Sequence, residues 1–543
     1  MRCSLPLRLA LPQLHRLAST MRRRFSLSAD TRLAARLALS LALGLNCGLP
    51  LGVHAMDAAA SPKALVSASA ASNSGSPSSA SALASPSASG ARALPCRIEV
   101  VEQVDEKTRA GGASVLGRGW PVPLVELRTT HQLRFVSDNA GLIALDAPEL
   151  MGREVWFSVI GHGYEVAKDG FGYAGLRLRP EPGKTLRVEV QRRFAARRVG
   201  RLTGSGLFAE SQKLGERLTW RDQGIHGCDS VQTAVHRGRM FWAWGDTTMP
   251  QYPLGLFDMS SATTAIRPLQ SLQPPLALEF DYVADAQGRP RSVAKMPGKG
   301  PTWLSGYVSL PDREGRERLV ASYVKIEPPM EAYETGLCVW DDEAARFELL
   351  RVLWRKSNAQ PKAPPMPDGH PLRWRDAQGK EWLLFGNPLP TLRCPANFEA
   401  WQDAGTWELL KPPPSLQGAG GEKVQLHSGS MAWNAHRHRW VTVFMEKFGR
   451  PSVFGELWYA EAAQPLGPWG KAVKVLSHDN QTFYNPRLHP EFTPEGSALL
   501  YFEGTYTKEF AQHAAPTPRY DYNQMLYCLD LDDPALKGAR TTP

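Results

Sequence analysis

Residues 303–326 read WLSGYVSLPDREGRERLVASYVKI. Two runs of strand length, 303–310 and 317–326, flank the polar turn Asp312-Arg313-Glu314-Gly315-Arg316, which is the pattern of an antiparallel hairpin. The unit recurs on both sides, in 231–236 with 239–244, 337–340 with 346–354, 372–374 with 381–385, 430–433 with 439–446, and 498–503 with 524–529. His236-Arg237-Gly238-Arg239 and Asp376-Ala377-Gln378-Gly379-Lys380 supply further polar turns. From residue 201 onward no run keeps a long helical period. Hairpins repeated over so long a segment are hard to close as one sandwich, whereas a β-propeller stacks four-stranded sheets around a channel and accommodates them. At roughly 60–70 residues per blade, the segment 201–543 holds five blades.

Upstream, 96–193 changes to short alternating runs: 97–102, 123–127, 132–136, 142–146, 154–160, 175–179 and 185–191. So many short strands within about a hundred residues argue for a β-sandwich. The expected fold class is therefore all-β, an N-terminal β-sandwich followed by a five-bladed β-propeller. Before the sandwich, 56–95 is Ala, Ser, Pro and Gly with almost no large apolar residue, so it reads as a disordered linker.

Residues 1–55 read as an export signal. Arg22, Arg23 and Arg24 precede an apolar stretch, 37–51, that ends near Val53-His54-Ala55 and is too short for a comfortable membrane span. The expected location is periplasmic or secreted, with no integral span once the signal is removed. Eight Arg against Asp30 give this segment +7 of the formal +10, leaving +3 for the rest. The basic balance thus belongs to the leader, and nucleic-acid binding loses its main support. Of seven cysteines, Cys3 and Cys47 fall in the leader, and the others (Cys96, Cys228, Cys338, Cys394, Cys528) show no CxxC pair and no zinc-site spacing.

Chemistry-bearing groups gather in three places. The first is His226-Gly227-Cys228-Asp229-Ser230 with Phe241-Trp242-Ala243-Trp244-Gly245-Asp246, at the two ends of one hairpin. Inner strands of a propeller deliver their end residues to the central funnel, so Asp229 and Asp246 are candidate catalytic acids, beside His226 and Trp244 as binding groups. The plainer alternative is that both Asp serve turns. The second is 436–469, where Glu456 and Trp458 share one face of an extended strand and Leu457 and Tyr459 the other. A carboxylate beside Trp and Tyr suits a sugar, whose apolar face stacks on the ring while its oxygens meet the acid. The third is 478–530, dense in amides, histidines and aromatics, which supplies Glu503 at a strand end and His478, Tyr484, Asn485 and Tyr506 as binding groups.

The segments "GELWYAEAAQPLGPW" and "WAWGDTT" resemble signatures of five-bladed propeller glycosidases and related exported proteins. That resemblance implies a glycoside hydrolase with Asp229 or Asp246 in the Asp roles and Glu456 or Glu503 as the acid. The order "PVPLVEL", "RFVSDNAGLIALD", "VWFSVIGHGYE", "LRVEV" is similar to a carboxypeptidase-regulatory or transthyretin-like module, which implies an accessory role for 96–193. The expected partner is a carbohydrate. Two other classes stay open: a glycan- or protein-binding propeller without turnover, and a polysaccharide lyase drawing on His478, His489, Tyr484, Tyr506 and Arg487 or Arg519. No cofactor is expected. Carboxylates and amides in a funnel can hold Ca²⁺, yet no EF-hand-like or His-rich spacing is present.

Overall fold

The computed structural model describes residues 94–103, 119–266, 274–276, 278–478, 481–493, 496–508 and 521–541. The leader and nearly all of the linker, 1–93, lie outside them, as does 509–520 within the third cluster.

The alternation of apolar and polar residues becomes strands almost throughout. Ahead of residue 193, one sheet is built on Cys96–Glu102, which pairs in parallel with Thr185–Arg192 and antiparallel with Leu142–Leu145. A second sheet runs Arg134–Val136, Glu126–Thr129, Val155–Ile160, Gly175–Leu178. Their inward residues meet in a single core, Ile98, Val100, Ile143 and Val188 from one against Leu127, Phe157 and Val159 from the other.

Beyond it, antiparallel sheets follow one another along the chain. The first runs Gln232–His236, Arg239–Trp244, Ser260–Ala265, Asp281–Tyr282. The second runs from Thr302–Pro311 through Glu317–Glu327 and Glu331–Asp341 to Arg346–Arg355. The third begins at Leu372–Arg375 and the fourth is built around Lys423–Asn434 and Arg439–Glu446. The last begins at Thr482–Leu488 and continues through Leu499–Thr507 to Asn523–Asp530.

A core lies between each pair of consecutive sheets. Ala243 and Met259 meet Tyr307 and Tyr323; Leu310 and Val320 meet Leu383 and Phe385; Leu389 meets Met431 and Trp440. Val443 and Tyr459 meet Phe483 and Phe502, and Trp242 and Phe280 meet Phe492 and Tyr501. The last sheet therefore packs on the first, which closes a ring, and the protein is an all-β propeller. Polar contacts near the inner strands repeat the closure: Gly369 N donates to Ser305 Oγ (2.9 Å), Gly429 N to Asn387 Oδ1 (2.7 Å), Asn485 N to Ser428 Oγ (3.3 Å) and Asn485 Nδ2 to Ser230 Oγ (2.8 Å).

The segment between the two parts is itself structural. Arg197–Arg201 pairs antiparallel with Asn523–Asp530 and becomes the outer strand of the last sheet, so the ring is closed by the residues that precede it. This pairing also buries Arg198. Its guanidinium donates to the carbonyls of Pro123 (3.0 Å) and His162 (2.6 Å) and to Tyr527 Oη (3.1 Å), while Tyr164 Oη accepts its backbone N–H (3.0 Å). The five cysteines of the described region are all buried and unpaired. No helix among the described residues is long and apolar enough to cross a membrane.

Arg198→Met is expected to destabilise the protein by about 3–5 kcal/mol, because the acceptors around the missing guanidinium stay buried without a donor. Urea unfolding measures this. A loss below about 1 kcal/mol would show that the two parts do not depend on Arg198.

Candidate functional site

Asp229 enters the inner strand of the first sheet and Asp246 leaves the strand beside it. Backbone bonds hold them abreast: Asp229 N donates to Asp246 O (3.2 Å) and Gly245 N to Asp229 O (2.9 Å). Gly245 is needed there, since a Cβ would stand 2.3 Å from Asp229 Oδ1. Both carboxylates are buried, at 7% and 3% exposure.

The last sheet supplies what surrounds them. Tyr484 Oη donates to Asp229 Oδ2 (2.9 Å), and Tyr522 stands close enough to ease the ionisation of Asp229. From the second sheet the Trp303 indole N–H plays the same part for Asp246 without reaching hydrogen-bond geometry. Asp258 lies behind, its Oδ1 accepting from Thr302 N (2.9 Å), and its charge adds to that on Asp246. Oδ1 of Asp229 and Oδ1 of Asp246 have no hydrogen-bond partner among the described residues. Ser230 and Asn485, which bond each other across the seam, both hold the left-handed backbone conformation (φ 51° and 52°), a strain that side chains other than glycine rarely carry.

Burial pushes the Asp229 carboxyl up to about 6, against the Tyr484, Tyr522 and Ser230 hydroxyls that favour its charge. Burial and then the neighbouring Asp229 charge hold Asp246 well above the usual carboxylate range. The pair therefore keeps a proton on Asp246 while Asp229 ionises.

The other buried carboxylates behave differently. Glu102, Glu126, Glu334, Glu456, Glu461 and Glu503 each have a basic side chain within 3.1 Å, respectively Arg192, Arg128, Arg355, Lys474, Arg437 and His489. Asp138 accepts backbone N–H groups from Ser211, Ala140 and Leu142. Burial keeps His489 neutral, so Glu503 has no opposite charge; Asp229 and Asp246 have no basic partner either, and they lie side by side with the charge of Asp229 acting on Asp246.

The structure thus brings Asp229, Asp246, Tyr484 and Asn485 together. It does not bring the two glutamates to them. Glu456 is enclosed by Lys474 Nζ (2.6 Å) and Ser477 Oγ (2.8 Å). Glu503 faces the core between the last and first sheets, where His489 Nε2 lies 2.7 Å from its Oε1 and burial raises its pKa to about 8. His478 and Tyr506 pack on each other (4.9 Å) and on His162 of the N-terminal part. Trp244 stacks on Trp242 (5.9 Å) in the core behind the acids. His226, half-buried, lies beside Phe208 (6.2 Å). Trp303, Asp258 and Tyr522 were not singled out by the sequence as site residues, although Trp303 opens the hairpin of residues 303–326 and Tyr522 lies within the third cluster, 478–530.

No group of His, Cys, Asp and Glu among the described residues is arranged to hold a metal ion. A cavity of about 650 Å³ lies apart from the acids, beside Glu334, Arg355 and Lys356. Its charges satisfy one another, Arg355 with Glu334 at 2.7 Å, so it offers no chemistry comparable to that of the Asp pair.

No protein-family model and no curated protein matches the chain. Solved structures similar to it include an exo-1,5-α-L-arabinanase from a bovine ruminal metagenomic library, at 11% identity over 56% of this chain and 94% of that one, with a TM-score of 0.33. An arabinanase from Bacillus subtilis aligns at 10% identity over 56% and 96%, TM-score 0.29. An exo-β-1,3-galactanase from Phanerochaete chrysosporium, bound to galactotriose, aligns at 8% over 57% and 61%, TM-score 0.34. The overlap is too loose to transfer a residue role or a substrate.

Proposed function

We propose that the protein is an exported glycoside hydrolase of poly- or oligosaccharides, its ring made of five blades and 96–193 serving as a β-sandwich accessory module. The observation that carries this reading is the Asp229–Asp246 pair: two neighbouring buried carboxylates, uncompensated by any base, among Tyr484, Tyr522 and Trp303. Glycosidic cleavage needs one carboxyl that carries a proton to the leaving oxygen and one ionised carboxylate that serves as base or nucleophile. Asp246 takes the first role because its neighbour's charge keeps it protonated. Asp229 takes the second because three hydroxyls favour its ionised form. Export rests on the leader, 1–55, and the linker, 56–95.

Asp229→Asn and Asp246→Asn should each lower hydrolysis by about a thousandfold or more, as loss of an essential acid or base does. Reducing-end release from arabinan, galactan and a wider polysaccharide panel measures it. Activity retained in both variants would sink the assignment. Glycan retained without hydrolysis by the unaltered protein would make it a binding protein, and an ultraviolet-absorbing unsaturated product would make it a lyase.

The same substitutions should move stability the other way. The folded-state value for Asp229, about 6, lies above that of an unfolded Asp, so folding retains a proton that the unfolded chain releases. Stability from this group is full below pH ~4 and is lost as pH rises through about 6. Asp229→Asn is therefore expected to be neutral near pH 4 and stabilising by up to about 3 kcal/mol at pH 8, read from thermal midpoints across pH. A loss of stability at pH 8 would show that the carboxylate is a structural support.

A further inference from the structure

Asp246 is followed by a short hairpin, Thr247–Met249 with Tyr252–Leu256, before the first sheet resumes at Ser260. Thr247 pairs with Leu256 in that hairpin, so the residues just outside the pair are Asp246 on one strand and Phe257 on the other. Phe257 thus stands across from Asp246. Its ring meets that of Trp303 edge to face, with centroids 5.8 Å apart and planes at 79°, and the Trp303 indole N–H is the group that eases the ionisation of Asp246. Inner strands of a propeller run the same way, so the residues that enter them gather at one mouth. Asp229 stands just ahead of Gln232–His236, and Trp303 lies at the start of Thr302–Pro311. Phe257 is 38% exposed there, while the carboxylates beside it are buried. Single exposed apolar side chains are ordinary on a protein surface, so what counts is the place: an open phenyl ring beside the acid to which a leaving oxygen must come.

We propose that Phe257 is a substrate-binding residue of this mouth, its ring stacking on the sugar unit that leaves when the glycosidic bond is cut. This rests on the hydrolase reading of Asp229 and Asp246 and adds which side of that bond the ring holds. Asp246 gives its proton to the glycosidic oxygen as that oxygen parts from the anomeric carbon. Water supplies the oxygen that the carbon gains, and the released unit departs as an alcohol. The unit that takes its proton from Asp246 lies against the neighbours of Asp246, where Phe257 offers it an apolar face. A sugar ring carries C–H groups on a face and hydroxyls around its rim, so it lies flat on a phenyl ring with its hydroxyls left in water. The contact selects a leaving group that is itself a sugar.

The test compares substrates with and without a leaving sugar: arabinotriose against arabinofuranosyl fluoride, and galactotriose against galactosyl fluoride. Phe257→Ala should lower kcat/KM for the trisaccharide roughly 10- to 30-fold and change that for the matching fluoride by less than about threefold. Phe257→Tyr should keep most of the trisaccharide activity, whereas Phe257→Leu, apolar but without a flat face, should not. Binding is read separately by calorimetric titration of the trisaccharides into the Asp229→Asn protein, where adding Phe257→Ala should weaken it by a similar factor. An equal loss on trisaccharide and fluoride would make Phe257 a structural support, and an unchanged trisaccharide rate would place the leaving unit elsewhere; either result overturns the proposal. Binding that depends on Phe257 in a protein that hydrolyses nothing keeps the stacking contact and removes the hydrolase reading. Neither binding nor hydrolysis of any of these sugars removes both.

Discussion

The pairing of Arg197–Arg201 with Asn523–Asp530 is the constraint on which the rest depends. A ring of sheets must bring its last member against its first, and the entropy of closing so long a loop is offset only by contacts at the seam. Here the seam is made by a strand from ahead of the ring, by the Trp242 and Phe492 core, and by Gln524, whose Nε2 donates to Cys228 O (3.2 Å) and Thr505 Oγ1 (3.0 Å). Arg198 lies on that same strand, so the bond set that closes the ring also fixes the N-terminal sheets against it. Asn139 adds to this, its Nδ2 donating to the carbonyls of Arg201 (2.8 Å) and Leu276 (2.7 Å).

The candidate site is a product of the same seam. Asp229 and Asp246 come from the first sheet, while Tyr484 and Tyr522 come from the last, with Tyr484 lying 255 positions from the carboxylate it touches. Gly227 shows how close the approach is, since a Cβ there would stand 1.7 Å from Tyr522 O. Anything that loosens closure would separate the acids from the hydroxyls that favour Asp229 as an anion, and the two raised carboxyl groups would lose their difference.

This explains what could be read from the sequence. Hairpins are local, and the alternating runs at 231–244, 303–326 and 439–446 become strands within a residue or two of the expected bounds. Asp229 and Asp246 were visible because one hairpin places both of its ends together. Strand Thr482–Leu488 was not, since Asn485 and Pro486 interrupt it and its partners lie elsewhere in the chain. No strand was expected at Arg197–Arg201, whose partner strand, Asn523–Asp530, lies at the far end of the chain. Glu456 and Glu503 sit among aromatics, and that setting suits a buried ion pair as well as a sugar site. Lys474 pairs with Glu456 and a neutral His489 hydrogen-bonds with Glu503, and a sequence does not say which base lies across from which acid.

The buried carboxylates then separate by what compensates them. An isolated charge in a low-dielectric interior costs several kcal/mol, so an acid kept there is paired, caged by N–H groups or protonated. Glu456 takes the first route with Lys474 and Asp138 the second, while Glu503, raised to about 8 beside a His489 that burial keeps neutral, takes the third. Asp246 takes the third as well, because the charges of Asp229 and Asp258 oppose its ionisation. A fold that needed a turn residue at 246 would lose nothing with Asn there. What sets Asp246 apart is its neighbour, since a carboxyl that holds its proton beside one that ionises near pH 6 gives a pair in two different protonation states, and the proposed acid and base roles rest on that difference.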